Sequence, residues 1–153
     1  MVVWRSLEET TMDHQHMRNI IRRENEELWH ASNPEIYKDS SHDHRVTHTV
    51  TFGDIVGHDA HSKLTQLYLE AFSDHHMRID HLVVEGDHAA YRITHQVKHT
   101  GTYMGIEPTG NDVKIVMSYF VRFEDDKIAE SWMMWDSLLL LRQLGVEIPM
   151  GQA

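Results

Sequence analysis

The chain contains no cysteine. Disulfides, thiolate nucleophiles and cysteine-ligated zinc are therefore excluded. It also lacks any unbroken apolar run near the roughly 18 residues that a membrane helix needs. The opening Met1-Val2-Val3-Trp4-Arg5-Ser6 is soon followed by acids and lacks the longer apolar region of a signal peptide. The expectation is a cytoplasmic protein. Positive charge is scarce, with 14 Lys and Arg against 24 Asp and Glu, a formal net charge of −10. Nucleic acid and anionic membrane surfaces recruit positive patches, so neither is expected as a partner. Only 3 prolines and 8 glycines are present, and no linker or repeat is visible. The 153 residues fit one domain spanning 1–153, with residues 1–15 as an N-terminal extension.

Histidine is abundant, at 14 residues. Imidazoles titrate near pH 6–7, so net charge should change steeply in mild acid. A zinc site needs three or four converging ligands. The pairs His14/His16, His42/His44, His58/His61 and His75/His76 do not have that spacing, and His44-x-x-x-His48 falls in an expected loop. No native metal is expected.

Hydrophobic period divides the chain into helices first and strands later. Met17, Ile20, Ile21, Leu28 and Trp29 share one helical face. Ser6 with Glu9 suits a capping box upstream, and Asn33-Pro34 stops the helix. A short helical segment is expected at 34–39. Ala60, Leu64, Leu67, Tyr68 and Ala71 mark an amphipathic helix over 58–71. Period two then takes over at 77–85 and 88–99, joined by Gly86-Asp87, and at 113–124 and 127–137, joined by Asp125-Asp126. Residues 101–110 form an irregular connection, and 138–145 a closing helix ended by Gly145. The expected fold is α+β, a cone-shaped curved antiparallel sheet closed by N-terminal helices. Its interior suits a small apolar ligand carrying a few polar groups.

A bulge-free turn at Asp125-Asp126 opposes Tyr119 to Trp132, Met117 to Met134 and Ile115 to Asp136, all on one face. Lys114, Ser118, Arg122 and Ser131 then share the other. A carboxyl on such an apolar wall is desolvated, its pKa rises, and it becomes able to exchange protons near neutral pH. Asp136 equally suits the N-cap of the Leu-rich segment that follows it. A one-residue slip of register reverses the faces. Trp29, Tyr68, Phe72, Met104, Met117, Trp132 and Met134 are candidate contacts for an apolar ligand, and equally candidates for plain core.

Gly86-Asp87, His99-Thr100-Gly101, the 105–110 run Gly-Ile-Glu-Pro-Thr-Gly, the 122–128 run Arg-Phe-Glu-Asp-Asp-Lys-Ile, Trp132, Trp135-Asp136 and Gln143-Leu144-Gly145 occur in an order that resembles the SnoaL-like polyketide cyclase family. That family belongs to the nuclear-transport-factor-2-like superfamily of cone folds. The resemblance covers about 17–146. It implies intramolecular aldol ring closure on a polyketide-like substrate, with no metal or organic cofactor, in a homodimer joined through the outer face of the sheet. It implies Asp136 as acid/base; His99 matches a histidine that recurs in the family, and His48 falls in a segment that often helps form the cavity mouth, though a histidine bonded to a loop carbonyl and an exposed loop histidine are the plain alternatives. Tyr119 or His99 is the candidate to stabilise the enolate oxygen. The chain departs from the family by carrying Asp126 where a glycine is usual, Phe72-Ser73-Asp74 in place of a Phe-Pro-Asp-like run, and no histidine on the penultimate strand. A non-catalytic binding module, or an isomerase, dehydratase or epoxide hydrolase on the same fold, are the alternatives.

Overall fold

Helix α1 (His14–Trp29) opens on Asp13, whose carboxylate accepts the backbone N–H of Gln15. The computed structural model describes residues 13–147 and 149. The Ser6/Glu9 capping box lies outside them. Met17, Ile21, Leu28 and Trp29 form the buried stripe of α1, but Glu24 and Asn25 are buried on the same stripe. A 3-10 turn (Pro34–Ile36) and α2 (Tyr37–Ser40) follow, and α3 (Gly57–Ala71) covers the other side.

Six strands form one sheet. They are β1 (Ser41–Thr49), β2 (Gly53–Val56), β3 (Phe72–Glu85), β4 (His88–His99), β5 (Asp112–Glu124) and β6 (Lys127–Trp135). Their order is β2-β1-β6-β5-β4-β3. The expected α+β cone architecture is present, but the sheet is mixed, because β1 runs parallel to β6. The expected loop around His44 and His48 is strand β1, paired with β2 as a hairpin. Its signal is the inward alternation of Arg45 and Thr47. Both are polar, so a search for apolar period two passes over them.

The core lies between the sheet and α1, with Phe72, Phe123, Ile93, Val121, Ile128, Met17 and Ile21 essentially inaccessible. Burying a side chain of that size contributes about 1.5–3 kcal/mol. The connection after β4 is fixed by close packing. A Cβ at Gly101 would stand 2.1 Å from the carbonyl oxygen of Glu70, which leaves room for glycine alone.

The β5–β6 hairpin decides which side chains face inward. Asp125 and Asp126 both take left-handed backbone, at φ 43° and 62°. Glu124 opposes Lys127 and Phe123 opposes Ile128, as expected for that turn, but Arg122 then opposes Glu130. Ala129 is the extra residue of a β-bulge, and the pairing beyond it moves by one. Tyr119 opposes Met133 and Met117 opposes Trp135. Ser131, Met133 and Trp135 therefore turn inward. Trp132 and Met134 lie on the outer face with Ser118 and Phe120, 37 % and 68 % exposed respectively.

Asp136 follows the same reversal and is exposed. Its carboxylate accepts the N–H of Leu139 at 2.8 Å and caps α4 (Ser137–Gln143). The expectation of a desolvated inward acid is corrected to that of a helix cap. Asp136→Ala should cost about 0.5–2 kcal/mol in urea denaturation, whereas Asp136→Asn, an equally good cap, should leave stability unchanged.

Candidate active site

A cavity of about 340 Å³ occupies the interior, between the inner face of the sheet and helices α1 and α3. Its wall is mainly apolar and aromatic. Leu28 and Trp29 come from α1, Leu64 and Tyr68 from α3, and Met117, Tyr119, Met133 and Trp135 from β5 and β6. Exposed Phe52, Leu67 and Met104 edge the mouth.

A polar floor is set into this wall. The Arg45 guanidinium donates through Nη1 to both carboxylate oxygens of Glu24, at 3.0 and 2.9 Å. Arg45 Nη2 donates to Ser131 Oγ at 3.3 Å, and Ser40 Oγ donates to Glu24. The Tyr37 ring lies 5.4 Å from the guanidinium carbon. Both charged side chains are nearly inaccessible, so each needs the other. Tyr37 OH bonds Thr65 Oγ1 at 2.9 Å. His61 Nδ1 lies 2.7 Å from the Gly57 carbonyl, and its Nε2 lies 2.7 Å from Thr47 Oγ1.

Four polar atoms of residues that line the cavity are buried without a hydrogen-bond partner among the described residues. They are Tyr68 OH, Tyr103 OH, Trp135 Nε1 and Arg45 Nε. Tyr119 OH reaches only the Met117 sulfur, at 3.7 Å. Burial pushes the Tyr103 phenol up to about 12 and those of Tyr68 and Tyr119 well above the usual tyrosine range. All three remain protonated donors at any physiological pH. Each unmet donor of this kind costs about 1–3 kcal/mol, which a ligand presenting acceptors would recover.

The expected site residues divide. Trp29, Tyr68, Met104, Met117 and Tyr119 line the cavity. Trp132, Met134 and Asp136 do not, for the bulge turns them away. His48 sits on the outer face, with Nδ1 2.8 Å from Asp54, Nε2 2.8 Å from Glu130, and its ring stacked on Trp132. Phe72 packs behind Tyr68 at 4.6 Å between ring centroids. His99 is fully buried, and its Nδ1 accepts the N–H of Thr109, which pins the loop after β4. Neither reaches the cavity.

Glu24, Arg45, Thr47, His61, Tyr103, Met133 and Trp135 are wall residues that the sequence reading misses. The visible signal was Glu24, a charged residue on the apolar stripe of α1. In α3 the inward residues are His61, Thr65 and Tyr68, whereas Leu67 is 55 % exposed. Hydrophobicity misplaces that face because the space it borders is a polar-floored cavity. Among the described residues no group of three or more His, Cys, Asp or Glu side chains converges as a metal site would require. No described helix is long and apolar enough to cross a membrane.

A curved sheet closed by helices around an internal chamber is the NTF2-like cone. TsrD from Streptomyces laurentii shares it, at 22 % identity and a TM-score of 0.78 over 88 % of this chain and 98 % of that one. AclR from Streptomyces galilaeus, provisionally described as a hydroxylase, gives 27 % identity and a TM-score of 0.75 over 86 % and 96 %. IdmH from Streptomyces antibioticus, provisionally described as a polyketide cyclase, gives 25 % and 0.74 over 85 % and 99 %. No curated protein matches the chain. The family model described as SnoaL-like polyketide cyclase matches residues 19–144, and the chain belongs to that family.

Two imidazoles inside this structure are held neutral. Burial, with Arg45 nearby, brings His61 down to about 4. Burial and the adjacent His75 bring His95 down to about 3. In the unfolded chain both titrate near 6.5. Below that pH the unfolded chain binds more protons, so stability should fall as pH drops from 6.5 toward 4 for His61 and toward 3 for His95. The loss approaches roughly 1 kcal/mol per pH unit for each residue. Urea midpoints measured from pH 7 to 4.5 should show it, and His95→Gln should flatten the slope. An unchanged slope would reject the assignment.

Proposed function

We propose that the chain is a cofactor-independent enzyme that closes a ring on an apolar, carbonyl-bearing, polyketide-like substrate in the cone cavity. The observation that carries this reading is the set of buried, unpartnered donors on an otherwise apolar wall. Tyr68, Tyr103, Tyr119 and Trp135 Nε1 offer hydrogen bonds to carbonyl oxygens, to the enolate oxygen that develops as a water takes the proton from the adjacent carbon, and to the alkoxide that develops as the carbon–carbon bond forms and then takes a proton back. Confinement folds a flexible chain so that its ends meet, an entropic contribution to rate. Asp136 has no part in this reading.

A binding module of the same cavity is the second reading. It is favoured by the pairing of Glu24 with Arg45, which leaves no buried carboxylate free of a cation among the described wall residues. The test is conversion of a linear polyketide methyl ester, followed by chromatography of the ring product. Tyr119→Phe and Tyr68→Phe should each retain the fold and lower turnover by about 10²-fold. Full turnover in both variants rejects the donor assignment. Binding without any product in the wild type selects the binding module.

The family resemblance also implies a homodimer, and the outer sheet face supports it. Phe120 and Trp132 lie side by side there, 5.8 Å apart and 47 % and 37 % exposed, next to Met134. Sedimentation should give a dimer that Trp132→Glu converts to monomer; a monomeric wild type excludes this pairing.

A further inference from the structure

The hydrogen-bond pattern around His61 fixes its tautomer. The Gly57 carbonyl can only accept, so His61 Nδ1 carries the proton at that 2.7 Å contact. In the neutral ring Nε2 is then a bare lone pair, and the hydroxyl of Thr47, 2.7 Å away, must donate to it. The Thr47 proton is thus already placed on a base, while the Thr47 oxygen keeps its own lone pairs. Both residues are on the cavity wall. A hydroxyl, an imidazole accepting its proton and a third group orienting that imidazole are the components of nucleophilic acyl transfer. Here a backbone carbonyl takes the orienting role. Arg45 stands two residues before Thr47 on β1, with both side chains buried, and period two puts them on one face. Its Nε–H has no partner among the described residues and serves as a donor to an oxyanion.

We propose that Thr47 and His61 form a nucleophile–base pair that cleaves apolar esters bound in the cavity, an activity distinct from ring closure. Thr47 Oγ1 forms a bond to the ester carbonyl carbon, the carbonyl electron pair moves to oxygen, and the Thr47 proton passes to His61 Nε2. Collapse of the tetrahedral species breaks the bond to the alkoxy oxygen. That oxygen takes the proton from His61 and leaves as the alcohol. Water then adds to the acyl-Thr47 ester and gives its proton to His61. Expulsion of Thr47, which regains that proton, releases the carboxylic acid.

The charged and titratable groups around His61 are Arg45 of β1, Glu24 of α1, Tyr37 of α2 and its α3 neighbour His58. The low proton affinity that burial imposes keeps the imidazole available as a base well into acid, and it also makes that base weak. Acylation and deacylation both rely on that weak base, but a p-nitrophenolate leaving group speeds acylation alone, so with such an ester deacylation is the slower step and the acyl form accumulates.

The test uses p-nitrophenyl butyrate with the full chain. The expected result is a burst of p-nitrophenol of one equivalent per chain, with the butyryl group mapped to Thr47 by peptide mass analysis. The burst rate should hold down to about pH 4 before falling. Thr47→Val and His61→Gln should lose at least about 10²-fold in burst rate, while Thr47→Ser, which restores a hydroxyl, should keep it. Absence of p-nitrophenol release above buffer, a butyryl group mapped elsewhere, or a burst that survives Thr47→Val would each overturn the proposal. Ring closure with Thr47→Val reports separately, because that reading rests on the phenol and indole donors.

Discussion

The Glu24–Arg45 ion pair is the constraint around which the cavity is organised. Two charges out of water need each other and need their remaining hydrogen-bonding groups met. Glu24 brings in α1 and, through Ser40, α2. Arg45 brings in β1 and, through Ser131, β6. Four elements distant in sequence are thereby held at fixed separation around one point. A cone of this size has every reason to fill with side chains, since packing a void is favourable. A desolvated ion pair resists that collapse. Its members cannot turn into the void without stranding a charge, and the open space beside them persists.

Much of the architecture was legible in the chain. The period of α1, the change to alternation from residue 77 and the two hairpin turns are local signals, and they placed the helical layer and the late strands, though β3 begins earlier, at Phe72. Strand β1 was hidden because its inward residues, Arg45 and Thr47, are polar. The cavity wall was hidden for the same reason, and also by register. The turn at Asp125-Asp126 forms as its sequence suggests, yet pairing three residues further along depends on where Ala129 fits. Such a bulge is settled by the packing of both strands against the core, a non-local balance that no short motif carries. The site residues on α1 and α3 were nearer to hand, as Glu24 on an apolar stripe is a local contradiction of the kind that marks functional positions.

The wall that results departs from a carboxylate-centred design. Its buried titratable groups among the described residues are phenols held protonated, one imidazole, His61, held neutral, and one carboxylate, Glu24, neutralised by arginine. A surface of this kind suits the oxygen-rich, uncharged guest proposed above, whose growing negative charge would meet fixed donors. Family membership gives the scaffold, and the wall determines the chemistry.

The bulge at Ala129 bears on how members of this family diverge. Side chains alternate along a strand, so a hairpin one residue shorter would rotate the whole distal half of β6 by 180° about its axis. Met133 and Trp135 would give way to Trp132 and Met134 in the chamber wall, and Asp136 would swing toward it. A single codon lost between the turn and the last helix is enough to bring an acid to the chamber while the tyrosine donors of α3, β5 and the loop after β4 stay in place.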